Sequence, residues 1–484
     1  MSYATLDRRT RWTALIVLCL GVLMILVDST IVNVALPTIR GDLGFSETSL
    51  VWVVNAYMLT FGGFLLLGGR LGDLFGPRNL FLIGIAGFTL ASLACGMATS
   101  SVTLVAARAV QGLGGAVVSA VSFALIMNMF EEGAERAKAL GVYSFVCSGG
   151  GAVGLLLGGI LTGTLNWHWI FLVNVPIGIS VCALCLKVLP QIRVPRNDTR
   201  LDVGGAMTVT LSLMLFIYGV AGANEKGWGS TQTLGLLVAA AVLFGAFLLI
   251  ESFLSKPLVP LKIFRIRNLT IANLVFMLWT ACIGAWFYIS ALYMQLVLGY
   301  HPLQIAIAFL PMSLIVGGFS LGLSAKIVTR WGIRGPLSIG ILIGALGLAL
   351  FARVPVNGTL WEDLLPGMIL LGLAVGVAVN PLLLAAMRDV APTETGLASG
   401  IINAGSQMGG AMGIALLASV SAARTHELMA AGAASPIALI SGYRLAFLLG
   451  SVCAVIALLG TFFIHIKPEA APSLSATSDE VSVV

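Results

Sequence analysis

Of 484 residues, 58% are hydrophobic and only 10% charged, against about 25% charged in soluble domains. That composition excludes a water-soluble globular protein. The net charge of +6 does not indicate nucleic acid either, because the bases sit in short loops between apolar runs without a basic-aromatic patch. No GxxxxGKS/T or HExxH motif and no clustered metal-ligand spacing occurs, so no nucleotide, metal or other cofactor is expected and the chain does not read as an enzyme.

No Asp, Glu, Lys or Arg interrupts residues 139–186 or 203–224, and about 20 apolar residues suffice to cross a bilayer. Cutting at charges, prolines and glycine clusters predicts an all-α polytopic membrane protein of fourteen transmembrane helices. The first, 12–37, contains LVDSTIVNVALP, where Asp28 is the only charge between Arg11 and Arg40. Asp28 lies roughly 24 Å along the helix from Trp12, deep in the membrane, where an ionised carboxylate must be paired, hydrated or protonated. Two readings stand. Either Ser29, Thr30 or Asn33 fixes a structural Asp, or an acid lines a water-filled cavity and takes up and releases protons.

The second span, 48–69, runs into GGRLGDLFGPR. There Gly69, Gly72 and Gly76 allow close approach or turning, and Arg70, Asp73 and Arg78 can form an interhelical charge network. After a third span, 79–99, the fourth, 101–129, holds Arg108, the only base lying inside a span rather than at its end, followed by Gln111. A buried guanidinium needs an acceptor: the Asp28 carboxylate, a backbone carbonyl or substrate. The fifth, 138–163, contains SGGGAVGLLLGGIL, whose Gly154, Gly158 and Gly159 form a smooth face for tight helix packing. His168 opens the sixth, 168–189, in a surface or packing place. Spans seven and eight, 202–222 and 233–253, precede six more at 270–296, 303–326, 335–353, 361–386, 395–423 and 443–466.

In the second half Asn380, Asn403 and Gln407 are the most cavity-like polar residues, although each can equally join helices by hydrogen bonds. Trp52, Tyr57, Phe276, Trp279, Trp286 and Tyr293 offer an aromatic wall for lipophilic cations, or ordinary packing. Asn33, Tyr57, Gln111, Trp279, Trp286, Asn380, Asn403 and Gln407 make up the expected substrate cavity. The seven cysteines all fall in apolar segments and pack as small apolar-like groups without a disulfide framework. Residues 468–484 read as a disordered cytoplasmic tail, and the first apolar run, too long for a signal-peptide core, as a retained span.

An even number of spans puts both termini on one side. With the N-terminus inside, twenty Lys and Arg face the cytoplasm, five (Arg40, Lys226, Arg353, Arg424 and Arg444) face outward, and Arg108 is buried. The positive-inside rule then places both termini in the cytoplasm of an inner-membrane protein. The chain also repeats itself: LGGRLGDLFGPRNLFLIG (67–84) aligns without gaps with LSAKIVTRWGIRGPLSIG (323–340). Arg70 meets Lys326, Gly76 meets Gly332 and Arg78 meets Arg334, whereas Asp73 meets Thr329. Two related six-helix units around a cavity, 1–190 and 263–467, with two helices inserted at 191–262, is the layout expected of an alternating-access transporter.

Taken together, LVDSTIVNVALP, GGRLGDLFGPR, LVAARAVQGLGGA, WIFLVNVPIG and INAGSQMGGAMG resemble the fourteen-spanner drug:proton antiporters of the major facilitator superfamily, the EmrB/QacA type, over essentially the whole chain. The resemblance implies a proton-coupled exporter of hydrophobic, cationic drugs or biocides, whose partners are small-molecule substrate, protons and membrane lipid. It ties Asp28 and Arg108 to proton coupling. It makes Gly69, Arg70, Asp73, Gly76 and Arg78 a cytoplasmic gate that latches the outward-facing state; Thr329 cannot supply the acid in the second copy. In span five Leu155 stands where this family's exporters carry proline, which weakens that export motif. The alternatives are an exporter of one specific metabolite or antibiotic, and a non-transporting receptor or scaffold on the same fold.

Overall fold

Inside a bilayer every backbone N–H and C=O must be satisfied within the protein, and the long charge-free runs do this by forming helices. The computed structural model describes residues 6–465 except 46, 51, 132, 191–201, 255, 256 and 258. The expected tail, 468–484, lies outside the described residues. Among the described residues the chain is all helical. The first half comprises α1 (Arg8–Leu43), α2 (Trp52–Phe75), α3 (Pro77–Gly96), α4 (Ser101–Met129), α5 (Ala134–Thr164) and α6 (Asn174–Val188). Then come α7 (Val203–Lys226) and α8 (Thr231–Phe253). The second half comprises α9 (Arg267–Leu292), α10 (Pro302–Gly318), α11 (Ser324–Trp331), α12 (Arg334–Phe351), α13 (Leu365–Met387), α14 (Thr395–Ala430) and α15 (Ser435–Thr461).

Local chemistry sets many of the ends. Asp7, Ser100, Asp202 and Ser230 each accept a backbone N–H at the start of α1, α4, α7 and α8, satisfying donors a helix leaves orphaned. Gly76, at φ +91°, turns the chain between α2 and α3, and Gly332, at φ +72°, does so between α11 and α12. These are the two glycines that coincide in the sequence repeat, and both occupy backbone that L side chains rarely adopt.

Eleven described helices are long and apolar enough to cross a membrane, and a twelfth is formed if the bent pair 134–151 and 156–164 is one span. Residues 204–220 and 307–318, in the expected seventh and tenth spans, form shorter apolar helices. By length and apolarity alone the described residues therefore give eleven or twelve of the expected fourteen spans; α7 runs unbroken over Val203–Lys226, and α10 passes through a π turn, Phe319–Leu323, into the polar α11.

The two halves use the same pairings. In the first, α2 and α3 pack on α4, and α1 packs on α5; in the second, α10 and α12 pack on α13, and α9 packs on α14. Helix α7 lies against α2 and α14, one from each half, and carries α8 on its far side. Many large apolar side chains of α8, including Val238, Val242, Phe244, Leu249 and Phe253, are exposed, as a helix facing hydrocarbon requires. The halves are tied at the end where α2 and α4 finish and α14 begins. Asn128 Nδ2 donates to Thr395 Oγ1 at 2.9 Å, Ser399 Oγ to the Ala120 carbonyl at 2.7 Å, and Asn380 Nδ2 to the Ala137 carbonyl at 3.0 Å.

Candidate functional site: a buried ion pair, a helix cap between the halves and a cavity

Asp28 on α1 is 0% exposed and Arg108 on α4 is 1% exposed. Burying either charge alone is prohibitive, and the two meet: Arg108 Nη1 stands 2.6 Å from Asp28 Oδ2. The remaining valences are filled as a buried pair demands. Gln111, one turn along α4, donates from Nε2 to Asp28 Oδ1 at 2.8 Å and accepts from Arg108 Nη1 at 2.7 Å. Asn174, at the start of α6, donates to Asp28 Oδ1 at 2.8 Å. Arg108 Nε donates to the Val53 carbonyl at 3.0 Å, and the guanidinium lies 4.2 Å from the centre of the Tyr57 ring, a cation–π contact. Ser92 on α3 extends the network, accepting from Asn174 Nδ2 at 3.0 Å and donating to the Phe171 carbonyl at 2.9 Å. Two buried atoms here, Asn174 Oδ1 and the Tyr57 hydroxyl, have no hydrogen-bond partner among the described residues.

Of the open choices, Arg108 therefore takes both the Asp28 carboxylate and a backbone carbonyl. Asp28 does not line a wet crevice in this state, because five helices close around it. Ser29, Thr30 and Asn33 do not hold it either; their side chains bond to carbonyls of their own helix. Gly154 and Gly158 form the floor on which α1 rests. A Cβ at Gly154 would overlap Thr30 Oγ1 and stand 2.7 Å from the Val27 carbonyl, and one at Gly158 would stand 2.8 Å from the Ile31 carbonyl. Gly159 meets nothing within 4 Å, so it is not part of that contact.

The loop after α2 does not form a network of side-chain charges. Asp73 instead accepts from the backbone amides of Gly396 at 2.9 Å and Leu397 at 2.8 Å, at the start of α14. The residue in the capping position of α14, Glu394, makes no side-chain cap, so the first half caps a helix of the second. The approach is close enough that a Cβ at Gly69 would overlap the Gly396 carbonyl. Arg70 Nη2 reaches the Pro257 carbonyl at 3.5 Å and Arg78 Nη2 the Leu186 carbonyl at 3.2 Å. Gly76 supplies the turn.

Between the halves lies a cavity of about 170 Å³. Tyr143, Ser144 and Cys147 of α5 and Ile402, Asn403 and Ser406 of α14 line it, with Phe123, Phe276, Val379 and Leu383. Of the eight expected cavity residues only Asn403 is in this lining. Tyr57 and Gln111 belong to the ion-pair network, Asn380 to the joint between halves, and Asn33 and Gln407 are exposed elsewhere. Trp286 packs edge-on against Phe309 and Phe351, and the Trp279 ring lies over Gly344; both are core. The sequence reading missed Asn174 and Ser92, whose signal was a lone polar residue in an apolar run. It also missed Tyr143, Ser144, Cys147 and Ser406, whose types are ordinary in a membrane helix.

The chain matches the Major Facilitator Superfamily over residues 18–414. It is 38% identical to the puromycin resistance protein pur8 of Streptomyces alboniger, covering 97% of this chain and 94% of that one. It is 38% identical to the cephamycin export protein CmcT of Amycolatopsis lactamdurans, covering 90% and 89%. With the tetracenomycin C resistance and export protein of Streptomyces glaucescens it shares 32% identity, over 86% and 77%. Among solved structures, the human organic anion transporter MFSD10 superposes with a TM-score of 0.66 at 15% identity, covering 93% and 99%.

Proposed function

The chain belongs to the major facilitator superfamily, a family of membrane transporters rather than enzymes, and on that premise we propose that it exports hydrophobic drugs or antibiotics from the cytoplasm in exchange for protons. In this reading it crosses the inner membrane fourteen times with both termini in the cytoplasm. Residues 1–190 and 263–467 are the rocking bundles and 191–262 supplies the two inserted helices. Export is supported by relatives named for antibiotic resistance and export.

The observation that carries the proton step is the buried Asp28–Arg108 pair. A carboxylate sealed against a guanidinium holds its charge; when helix movement separates them, an uncompensated buried carboxylate takes up a proton. The network is equipped for both states. Arg108 keeps the Val53 carbonyl, Gln111 Oε1 and the Tyr57 ring after losing Asp28. A half-turn of the Asn174 amide places its unpartnered Oδ1 where Nδ2 now stands, ready to accept from a carboxylic O–H. Asp73, Gly69 and the start of α14 form the cytoplasmic latch, whose rupture opens the inward path. Lipophilic cations were expected from the aromatic residues and from the resemblance; the cargo proposed here is a hydrophobic molecule bound between the halves.

The test is proton movement in proteoliposomes driven by a gradient of exported drug. Wild type should move protons in proportion to drug, with external pH shifting the rate, and Asp28→Asn should not. Unchanged proton flux in Asp28→Asn would refute the coupling. A second reading, export of one antibiotic or metabolite, is favoured by relatives each named for a single compound. A panel of unrelated dyes and biocides separates the two, since only the polyspecific pump protects cells against several.

A further inference from the structure

The cavity between the halves is where cargo sits in the proposed export cycle, and its lining restricts what the cargo is. None of its described lining residues carries a carboxylate, an ammonium or a guanidinium. The two charges the sequence places deep in the membrane, Asp28 and Arg108, neutralise each other at 0% and 1% exposure and are absent from that lining. An ion entering this space would lose water and gain no opposite charge, only aromatic faces that attract a cation modestly, which leaves its burial unfavourable.

What the wall does offer is an apolar, partly aromatic surface from Phe123, Phe276 and Ile402, and an uncommitted donor. Ser144 is 4% exposed, lines the cavity, and its hydroxyl has no hydrogen-bond partner among the described residues. A hydroxyl can donate one hydrogen bond, and a buried one without an acceptor is disfavoured. Asn403, across the cavity, donates from Nδ2 to the Ser399 carbonyl at 2.9 Å. A volume of about 170 Å³ is close to the ~150 Å³ cavity that holds benzene.

We infer that this cavity binds an uncharged, ring-sized group bearing a hydrogen-bond acceptor, which Ser144 engages, and that it discriminates against cationic and anionic groups of the same shape. The inference rests on the export reading only for its physiological meaning. The site and its selectivity are properties of binding.

Three probes on one scaffold test it: benzamide (neutral acceptor), benzamidine (cation at neutral pH) and benzoate (anion). Binding to the purified full-length chain in detergent is measured by equilibrium dialysis, with benzene as the acceptor-free control. The amide should bind at least ten-fold more tightly than either ion. Ser144→Ala should weaken the amide by about five-fold, the loss of one neutral hydrogen bond, and leave benzene unchanged. Equal or tighter binding of an ion, no measurable binding of the amide, or an amide affinity unmoved by Ser144→Ala would overturn the inference. Should the variant misfold, the three-probe comparison on the unaltered chain decides. Drug-driven proton flux is a separate readout, so a chain that selects the amide but moves no protons refutes export alone, and one that pumps but prefers the amidine refutes this alone.

Discussion

Replacing Asp73 by Asn should weaken the closed joint between the halves at the end where α2 finishes. The carboxylate accepts two backbone N–H groups of α14, at 2.9 and 2.8 Å, and its charge faces the positive end of a 36-residue helix. An Asn side chain has one carbonyl oxygen, so one N–H loses its charged acceptor. A hydrogen bond to a charged group contributes about 1.5–3 kcal/mol, and a charge at a helix N-terminus about 0.3–1 kcal/mol. Part of this returns through the neutral bond Asn retains, leaving a weakening of about 2–3 kcal/mol and a population shift of about 30- to 150-fold. Introduced cysteines at Phe75 and Thr393, both exposed and flanking the joint, can be spin-labelled and their separation measured by pulsed dipolar spectroscopy. The native cysteines are buried or half-buried, which keeps them from competing for label. Asp73→Asn should move weight from the short to the long distance. An unchanged distribution would refute the argument that this cap holds the halves together.

Gly69→Ala should act in the same direction in that assay, because its methyl would overlap the Gly396 carbonyl while the first half folds normally. Arg108→Ala should strand the Asp28 carboxylate and lower stability by about 3–5 kcal/mol, read as a fall in the midpoint of thermal unfolding in detergent. Adding Asp28→Asn should restore much of that loss, whereas two independent deletions would simply add. Gly154→Val should reduce folded yield because it forces α5 away from Thr30 and Val27, while Gly159→Val, facing open space, should be tolerated; equal yields would refute the contact.

The two charges were legible because nothing else explains them. Asp28 and Arg108 stand alone in long apolar runs, and hydrocarbon makes an isolated charge conspicuous. Their pairing was not legible, because it depends on the rotation of α1 against α4, which Gly154 and Gly158 set from a third helix. Asn174 escaped notice since a lone amide is cheap enough in a membrane helix to be ordinary. The partners of Asp73 left no trace at all, being backbone amides. Trp279 and Trp286 misled in the opposite way: aromatic residues one heptad apart share a face whether that face meets cargo or, as here, Gly344 and Phe351.

In the proposed cycle, separate places for charge and cargo change what coupling requires. A carboxylate inside the cavity would couple by direct competition, proton against cation, and would need no moving parts beyond the two halves. With Asp28 enclosed by helices and the cavity lined without charge, something must carry information between them, and α5 touches both. A Cβ at its Gly150 would stand 2.8 Å from Leu26 Cβ, two residues before Asp28, while Cys147, Ser144 and Tyr143 on the same helix face the cavity. Gly150 and Cys147 are one turn apart, about 4.5 Å along the axis. A shift of α1 that parts Asp28 from Arg108 therefore displaces α5 through a contact with no side-chain cushion on the glycine side, and the cavity wall moves with it. On the proposed cycle, cargo and proton need never meet, and the selectivity of the cavity is free to vary without disturbing the ion pair.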